Sequence, residues 1–362
     1  MAEADLDFPI YDILPDLEPP HRQRLFFGHT EEEQKFLSSW QSGKMHHAWL
    51  LTGPKGIGKA TFAFRAARFI FNEGMAPQGG GLLGDMAAPT RLDSPDDCQA
   101  VHLVTNLAHP NLLVIDRPYD QKSKRFKTEI TVDEVRRTVR FFGSTAGEKT
   151  WRVCIVDPAD DLNNNAANAL LKILEEPPVR TLFFLISHAP GRLLPTIRSR
   201  CRRLGFSPLE NPALSEAIAG LGIAEGADTI EQLSQSCDGS IRKAAELQSD
   251  EGLVLIHAFE RMLAPPYNPD YETLNAFAET VAQRGKDERF DGFSDLVHRY
   301  LSRQLHEKSG IEGTRGADLY PLARVWDDAR EQIQQTRIFN LDKKQTVIEV
   351  MRMLAKASRG ER

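Results

Sequence analysis

Cysteine is scarce. The 362-residue chain has four, Cys98, Cys154, Cys201 and Cys237, and no Cys-x-x-Cys pair. That removes support for a zinc ribbon and for a disulfide-stapled secreted domain, and leaves isolated reduced thiols. Long apolar runs are also missing: no stretch approaches the roughly 20 residues that span a bilayer. The opening residues, MAEADLDFPIYDILPD, are acidic and lack the basic segment and apolar core of a signal peptide. The expected setting is therefore cytoplasmic, with no membrane partner. Bulk positive charge is lacking too. A net charge of −6 argues against coating nucleic acid by charge alone, though it leaves room for a local basic patch. No internal repeat is evident.

What is present suits a globular chain of two or three domains, with 41% apolar and 27% charged residues. It is organised around residues 48–71, AWLLTGPKGIGKATFAFRAARFIF. Trp49-Leu50-Leu51 reads as a buried strand and Thr61 to Phe71 as a buried helix. Between them runs Gly53-Pro54-Lys55-Gly56-Ile57-Gly58-Lys59, the G-x-x-x-x-G-K of a phosphate-binding loop. Its glycines let successive N–H groups and the positive end of the helix dipole face an anion, and Lys59 reaches terminal phosphates. The next residue should carry a hydroxyl for Mg²⁺. It is Ala60, with Thr61 beyond it.

Residues 1–27, with Pro9, Pro15, Pro19 and Pro20, read as an extended leader. Residues 30–42 read as a helix with a capping box, Thr30 at the N-cap and Glu33 three positions on. Residues 74–97 are rich in Gly, Pro and Asp and read as a loop or insertion. Continuous apolar runs at 112–116, 151–157 and 182–187 alternate with helical segments, which predicts a parallel sheet covered on both faces. The helix at 131–142 is expected to bury Val135, Val139 and Phe142, and the one at 160–176 to stop at Pro177-Pro178. The basic run at 117–128 reads as a solvated hairpin tip, with a nucleic-acid contact as the alternative. Beyond Leu209 strands disappear. Stripes such as Phe290, Phe293, Leu296, Val297, Tyr300 and Leu301 predict bundle core.

ATP hydrolysis at such a loop needs a phosphate cradle, Mg²⁺, an activated water and a countercharge. Asp157 ends a strand and suits the metal-side acid. The residue after it would normally be the water-activating Glu, but it is Pro158, which has no carboxylate. Asp160 and Asp161 are expected to cap the next helix, pointing away from the loop. The run Thr196-Ile197-Arg198-Ser199-Arg200-Cys201-Arg202-Arg203 reads as a solvated basic turn or as an arginine finger reaching a neighbour's nucleotide.

These motifs together resemble the delta-prime family of bacterial DNA polymerase III clamp-loader subunits, a divergent AAA+ group. The resemblance is carried by His46 to Pro54, the loop to Lys59, the block NNNAANALLKILEEPP at 163–178 and Ser199-Arg200-Cys201. It covers roughly residues 20–250. It implies an α/β fold: a P-loop AAA+ domain with a parallel sheet at 28–208, a small helical lid at 209–250 and an all-α collar at 251–362. It implies a degenerate Walker A loop (Gly53, Pro54, Gly56, Gly58, Lys59, Ala60, Thr61), Asp157 as a degenerate Walker B acid, Ser187 as sensor 1 and Arg242, in Gly239-Ser240-Ile241-Arg242, as sensor 2. Arg200 takes the finger role, acting in trans. The implied partners are tau/gamma and delta subunits joined in a hetero-pentamer through the collar, with the sliding clamp and primer-template DNA reached through the assembly. That assembly belongs to the polymerase III holoenzyme, a nucleotidyltransferase complex. ATP or ADP is expected to bind weakly or not at all. Many members carry a four-cysteine zinc module after the loop helix; here only Cys98 lies there, so no zinc is expected. The alternative, an ATP-hydrolysing tau/gamma-type motor, would keep the Walker hydroxyl and the Asp-Glu pair, which Ala60 and Pro158 replace. A small-molecule kinase would explain neither the Ser-Arg-Cys turn nor the helical C-terminal part.

Overall fold

The computed structural model describes residues 11–14, 16–73, 89–143, 150–249, 252–267, 269–309 and 316–359. Most of the expected 74–97 insertion and the first ten residues of the leader lie outside them. The chain forms two compact units, residues 1–245 and 246–362.

In the first unit, helix α1 (Thr30–Gln41) precedes strand β1 (Ala48–Thr52), and α2 (Lys59–Glu73) and α3 (Gln99–Thr105) lead to β2 (Leu112–Ile115). A short hairpin, β3 (Tyr119–Asp120) and β4 (Arg125–Phe126), is followed by α4 (Val132–Gly143) and β5 (Arg152–Val156). Then come α5 (Asn164–Glu175), β6 (Thr181–Ser187), α6 (Pro195–Ser199) and β7 (Arg202–Gly205). Helices α7 (Asn211–Gly220) and α8 (Ala227–Ser236) follow, and α9 (Ile241–Ser249) starts in this unit and runs past its last residue.

The five-stranded sheet runs β2-β5-β6-β1-β7, with every pair parallel. Side chains alternate between its faces, as strand geometry demands. Trp49, Leu51, Val153, Ile155, Phe184 and Ile186 pack with α1, α2 and α3. Leu50, Cys154, Val156, Phe183 and Leu185 pack with α4 and α5. Burial on both faces is why these strands are continuous apolar runs rather than alternating ones. Parallel strands of this kind leave a crevice at their carboxyl ends, where the loops after β1, β2, β5 and β6 meet.

Four details depart from the sequence expectations. Strand β7 was not expected, because its residues are Arg202-Arg203-Leu204-Gly205 and only Leu204 is buried; it is an edge strand. In α4, Val139 is 61% exposed, and Thr138 takes the inward position beside Val135 and Phe142. Helix α1 has no capping box. Its N-cap is His29, at φ 52° with no side-chain cap bond. Glu33 is buried instead, accepting from Arg65 Nε at 3.1 Å and from the Leu92 amide at 2.9 Å. Finally, Asn163 caps α5, its side chain accepting from the Ala166 amide, while Asp160 and Asp161 sit in a 3₁₀ turn before it.

The second unit is helical: α10 (Gly252–Met262), α11 (Tyr271–Val281), α12 (Asp287–Ser309), α13 (Gly316–Phe339) and α14 (Lys343–Ser358). Phe290, Phe293, Val297 and Leu301 of α12 pack with Leu322, Ala329 and Ile333 of α13 and Val347, Met351 and Leu354 of α14. The stripes at spacings of three and four are core, as expected. Among the described residues no helix is long and apolar enough to cross a membrane.

Candidate functional site

A cavity of about 650 Å³ opens at the carboxyl ends of the strands in the first unit. Its wall includes Gly56, Gly58, Lys59, Ala60 and Thr61 from the loop and the start of α2, Asp116 after β2 and Asp157 after β5. His188 after β6 and Arg242 at the start of α9 also face it. Gly53, Pro54 and Ser187 stand behind this wall rather than in it. Gly53 adopts φ 145°, and a Cβ there would collide with the Phe206 carbonyl. Gly56, at φ 79°, leaves no room for a Cβ against Arg242 and Ser240. Both positions need glycine for the loop to close as it does.

The loop is braced from three sides. His29 Nε2 lies 2.7 Å from the Ile57 carbonyl. Ser240 Oγ donates to the Lys55 carbonyl at 3.1 Å, and the Arg242 amide donates to the Gly56 carbonyl at 3.2 Å. The lysine head turns inward: Lys59 Nζ donates to the Gly53 carbonyl at 2.7 Å and also to that of Pro54. Burial lowers the Lys59 pKa to about 8, opposed by the nearby carboxylates of Asp157 and Asp160.

The acids behave differently from one another. Burial pushes Asp157 up to about 7, helped by the Asp12 carboxylate and opposed by Lys59. Burial raises Asp116 to about 6. Asp160, expected to point away, faces the cavity. Its Oδ1 accepts from Ser187 Oγ at 2.6 Å, and its Oδ2 accepts from the His188 and Ala189 amides. Both of its oxygens are therefore engaged in holding the end of β6. Asp161 is turned to Arg117, at 2.6 Å. Burial, with Lys59 nearby, lowers His188 to about 4, so its ring is neutral at physiological pH.

Arg200 lies apart from this cavity. It is the residue after α6, where Nη2 pairs with Glu175 at 2.7 Å and Nη1 donates to the Thr196 carbonyl at 3.0 Å. About a third of its side chain is exposed (34%), enough for the guanidinium to change partners. Among the described residues no group of three or more His, Cys, Asp or Glu side chains is placed to hold a metal.

The sequence missed His29, Ser240 and Asp160 as site residues. Their contacts with the loop or with β6 form only on folding, and no spacing signals them. Asp157 supplies a pH test. A carboxyl with a folded pKa near 7, against an ordinary value of about 4, contributes stability that is complete below the ordinary pKa and is lost as pH rises through 7. Asp157→Asn is therefore expected to gain melting temperature over the wild type progressively between pH 5 and pH 8. A difference that stays constant across that range would remove the assignment.

The sequence model of the family described as DNA polymerase III, delta subunit matches residues 28–210. DNA polymerase III subunit delta' of Pseudomonas aeruginosa is 38% identical over 273 residues, covering 73% of this chain and 75% of that one. The Escherichia coli subunit delta' is 33% identical over 175 residues, 48% of this chain and 46% of that one. DNA polymerase III subunit tau of Bacillus subtilis is 30% identical over 215 residues, 56% of this chain and 33% of that one. Among solved structures, a DNA polymerase III gamma subunit-related protein of Thermotoga maritima is 18% identical, covers 90% of this chain and 100% of that chain, and has a TM-score of 0.41.

Proposed function

The chain belongs to the DNA polymerase III delta-subunit family, in the company of bacterial delta' subunits, and from that premise we propose that it is a clamp-loader subunit that does not hydrolyse ATP itself. It assists the chemistry of a neighbour. Its partners are tau/gamma and delta subunits, assembled through the helical residues 251–362, and the complex places a sliding clamp on primed DNA.

The observation that carries the non-hydrolysing reading is that no available carboxylate follows the metal-side acid Asp157, where the water-activating group belongs. A water-activating carboxylate must have a free oxygen within reach of the water. Pro158 has no carboxylate, and Asp160, two residues on, has both oxygens engaged by Ser187, His188 and Ala189. Ala60 offers no hydroxyl to Mg²⁺. The loop still fits a phosphate group: its glycines keep the backbone close, and Lys55 and Lys59 supply positive charge. Bound ATP or ADP would contribute only the polyphosphate that these groups hold, so binding does not by itself imply turnover.

Arg200 supports the other half of the reading. A guanidinium keeps its charge at any working pH and presents a planar fork suited to phosphate oxygens. Held by Glu175 on the surface, it can exchange that carboxylate for a neighbour's phosphate. The motor alternative rests on the relatives named tau and gamma. In a reconstituted complex, Lys59→Ala here is expected to lower ATP turnover far less than the equivalent lysine change in a motor subunit. Comparable losses from the two changes would favour the motor alternative.

A further inference from the structure

The segment before α1 is more than a surface strap. Asp12 enters the cavity and places its carboxylate against two cations of the loop's surroundings. Lys55 Nζ lies 3.0 Å from Oδ1 and 2.8 Å from Oδ2. Arg242 Nη2 lies 2.9 Å from Oδ1, and Arg242 Nη1 donates to the Asp12 carbonyl at 2.7 Å. Tyr11 anchors the segment on its other side, with the Arg117 guanidinium 5.0 Å from its ring centroid and Phe126 edge-on at 5.3 Å. Asp12 holds φ 62°, a left-handed conformation that Asp tolerates better than most residues.

We infer that Asp12 is an internal stand-in for a phosphate group, seated between Lys55 and Arg242, and that it competes with the polyphosphate of a nucleotide for the loop. This rests on the reading of residues 53–59 as a phosphate cradle. The chemistry of the seat is what recommends it. Lys55 belongs to the loop itself, and the Arg242 backbone is tied to the loop through Gly56. A carboxylate shares with a phosphate its negative charge and its paired acceptor oxygens, and both groups prefer lysine and arginine donors. The competitor is also displaceable. The Asp12 side chain is 31% exposed, that of Lys55 48% and that of Arg242 20%, and ion pairs this open to solvent are held by little more than about 1 kcal/mol each.

The substitutions Asp12→Asn and Asp12→Ala, in the full chain, test this directly. The probes are pyrophosphate, ADP and adenosine, titrated calorimetrically at low and at moderate salt without Mg²⁺. The expected result is tighter binding of pyrophosphate and ADP by about three- to tenfold in both variants, a gain on the scale of a weak ion pair. Adenosine binding should not change, and the gain should shrink as salt rises. In an Arg242→Ala background the gain should be reduced, because half of the seat is gone. Equal affinities in wild type and both variants would overturn the inference, as would an equal gain for adenosine. Failure of every form to bind either anion at millimolar concentration would also overturn it. Phosphate release on adding ATP and Mg²⁺ to separate portions of the same protein preparations answers a separate question. Release by the wild type removes the non-hydrolysing reading and leaves the role of Asp12 standing.

Discussion

Replacing Arg200 with alanine is expected to slow ATP hydrolysis at the neighbouring subunit's site while leaving this chain folded and assembled. An arginine supplied to a phosphoryl-transfer site is worth about 10³-fold or more at that site. Turnover of a whole complex should therefore fall by the share that the affected site contributes. The effect is clearest in a complex whose other ATP sites have been inactivated. The structural cost should be small, because Arg200 makes one partly exposed ion pair, with Glu175, and one bond to the Thr196 carbonyl. Surface pairs of this kind are worth up to about 1 kcal/mol. Steady-state phosphate release and gel filtration on the same preparation separate the two effects. Unchanged turnover with intact assembly would remove the finger from the account.

The largest stability effect is expected at Glu33. Its carboxylate is 2% exposed and accepts from Arg65 Nε and the Leu92 amide, joining α1, α2 and the segment at 91–93. Alanine there strands the buried Arg65 guanidinium and a buried amide. Breaking a buried pair in this way costs about 3–5 kcal/mol. Arg65 keeps a contact with Asp93, so the lower end of that range is expected. Thr30→Ala is the informative control. A true capping box would lose about 1 kcal/mol on removal of the threonine, whereas here Thr30 is inside the helix and its loss should be nearly silent. Urea unfolding of the two variants would decide between these roles, and reversed magnitudes would restore the capping box.

Glu33 also shows where sequence reading stops. Thr-Glu-Glu-Glu before an apolar run carries a local signal for a cap, and the competing partner, Arg65, lies 32 residues away. The β1, β2, β5 and β6 strands were legible because burial on both faces demands continuous apolar runs. Strand β7 was not, because an edge strand with Arg202 and Arg203 needs only Leu204 to pack. The phosphate loop was legible because its glycines and lysine act within seven residues. Asp160 was not, since a 3₁₀ turn, rather than the expected helix, aims it at the end of β6. Asp12 was not either. Its partners are 43 and 230 residues away, and only the folded chain brings them to one seat.

The central claim is that this chain contributes chemistry at another subunit's site and none at its own. Parallel ATPase measurements on one reconstituted clamp loader, carrying either Lys59→Ala or Arg200→Ala in this subunit, address it most directly. The account predicts turnover near the wild-type rate with Lys59→Ala and a marked loss with Arg200→Ala. A loss with Lys59→Ala and wild-type turnover with Arg200→Ala would contradict it.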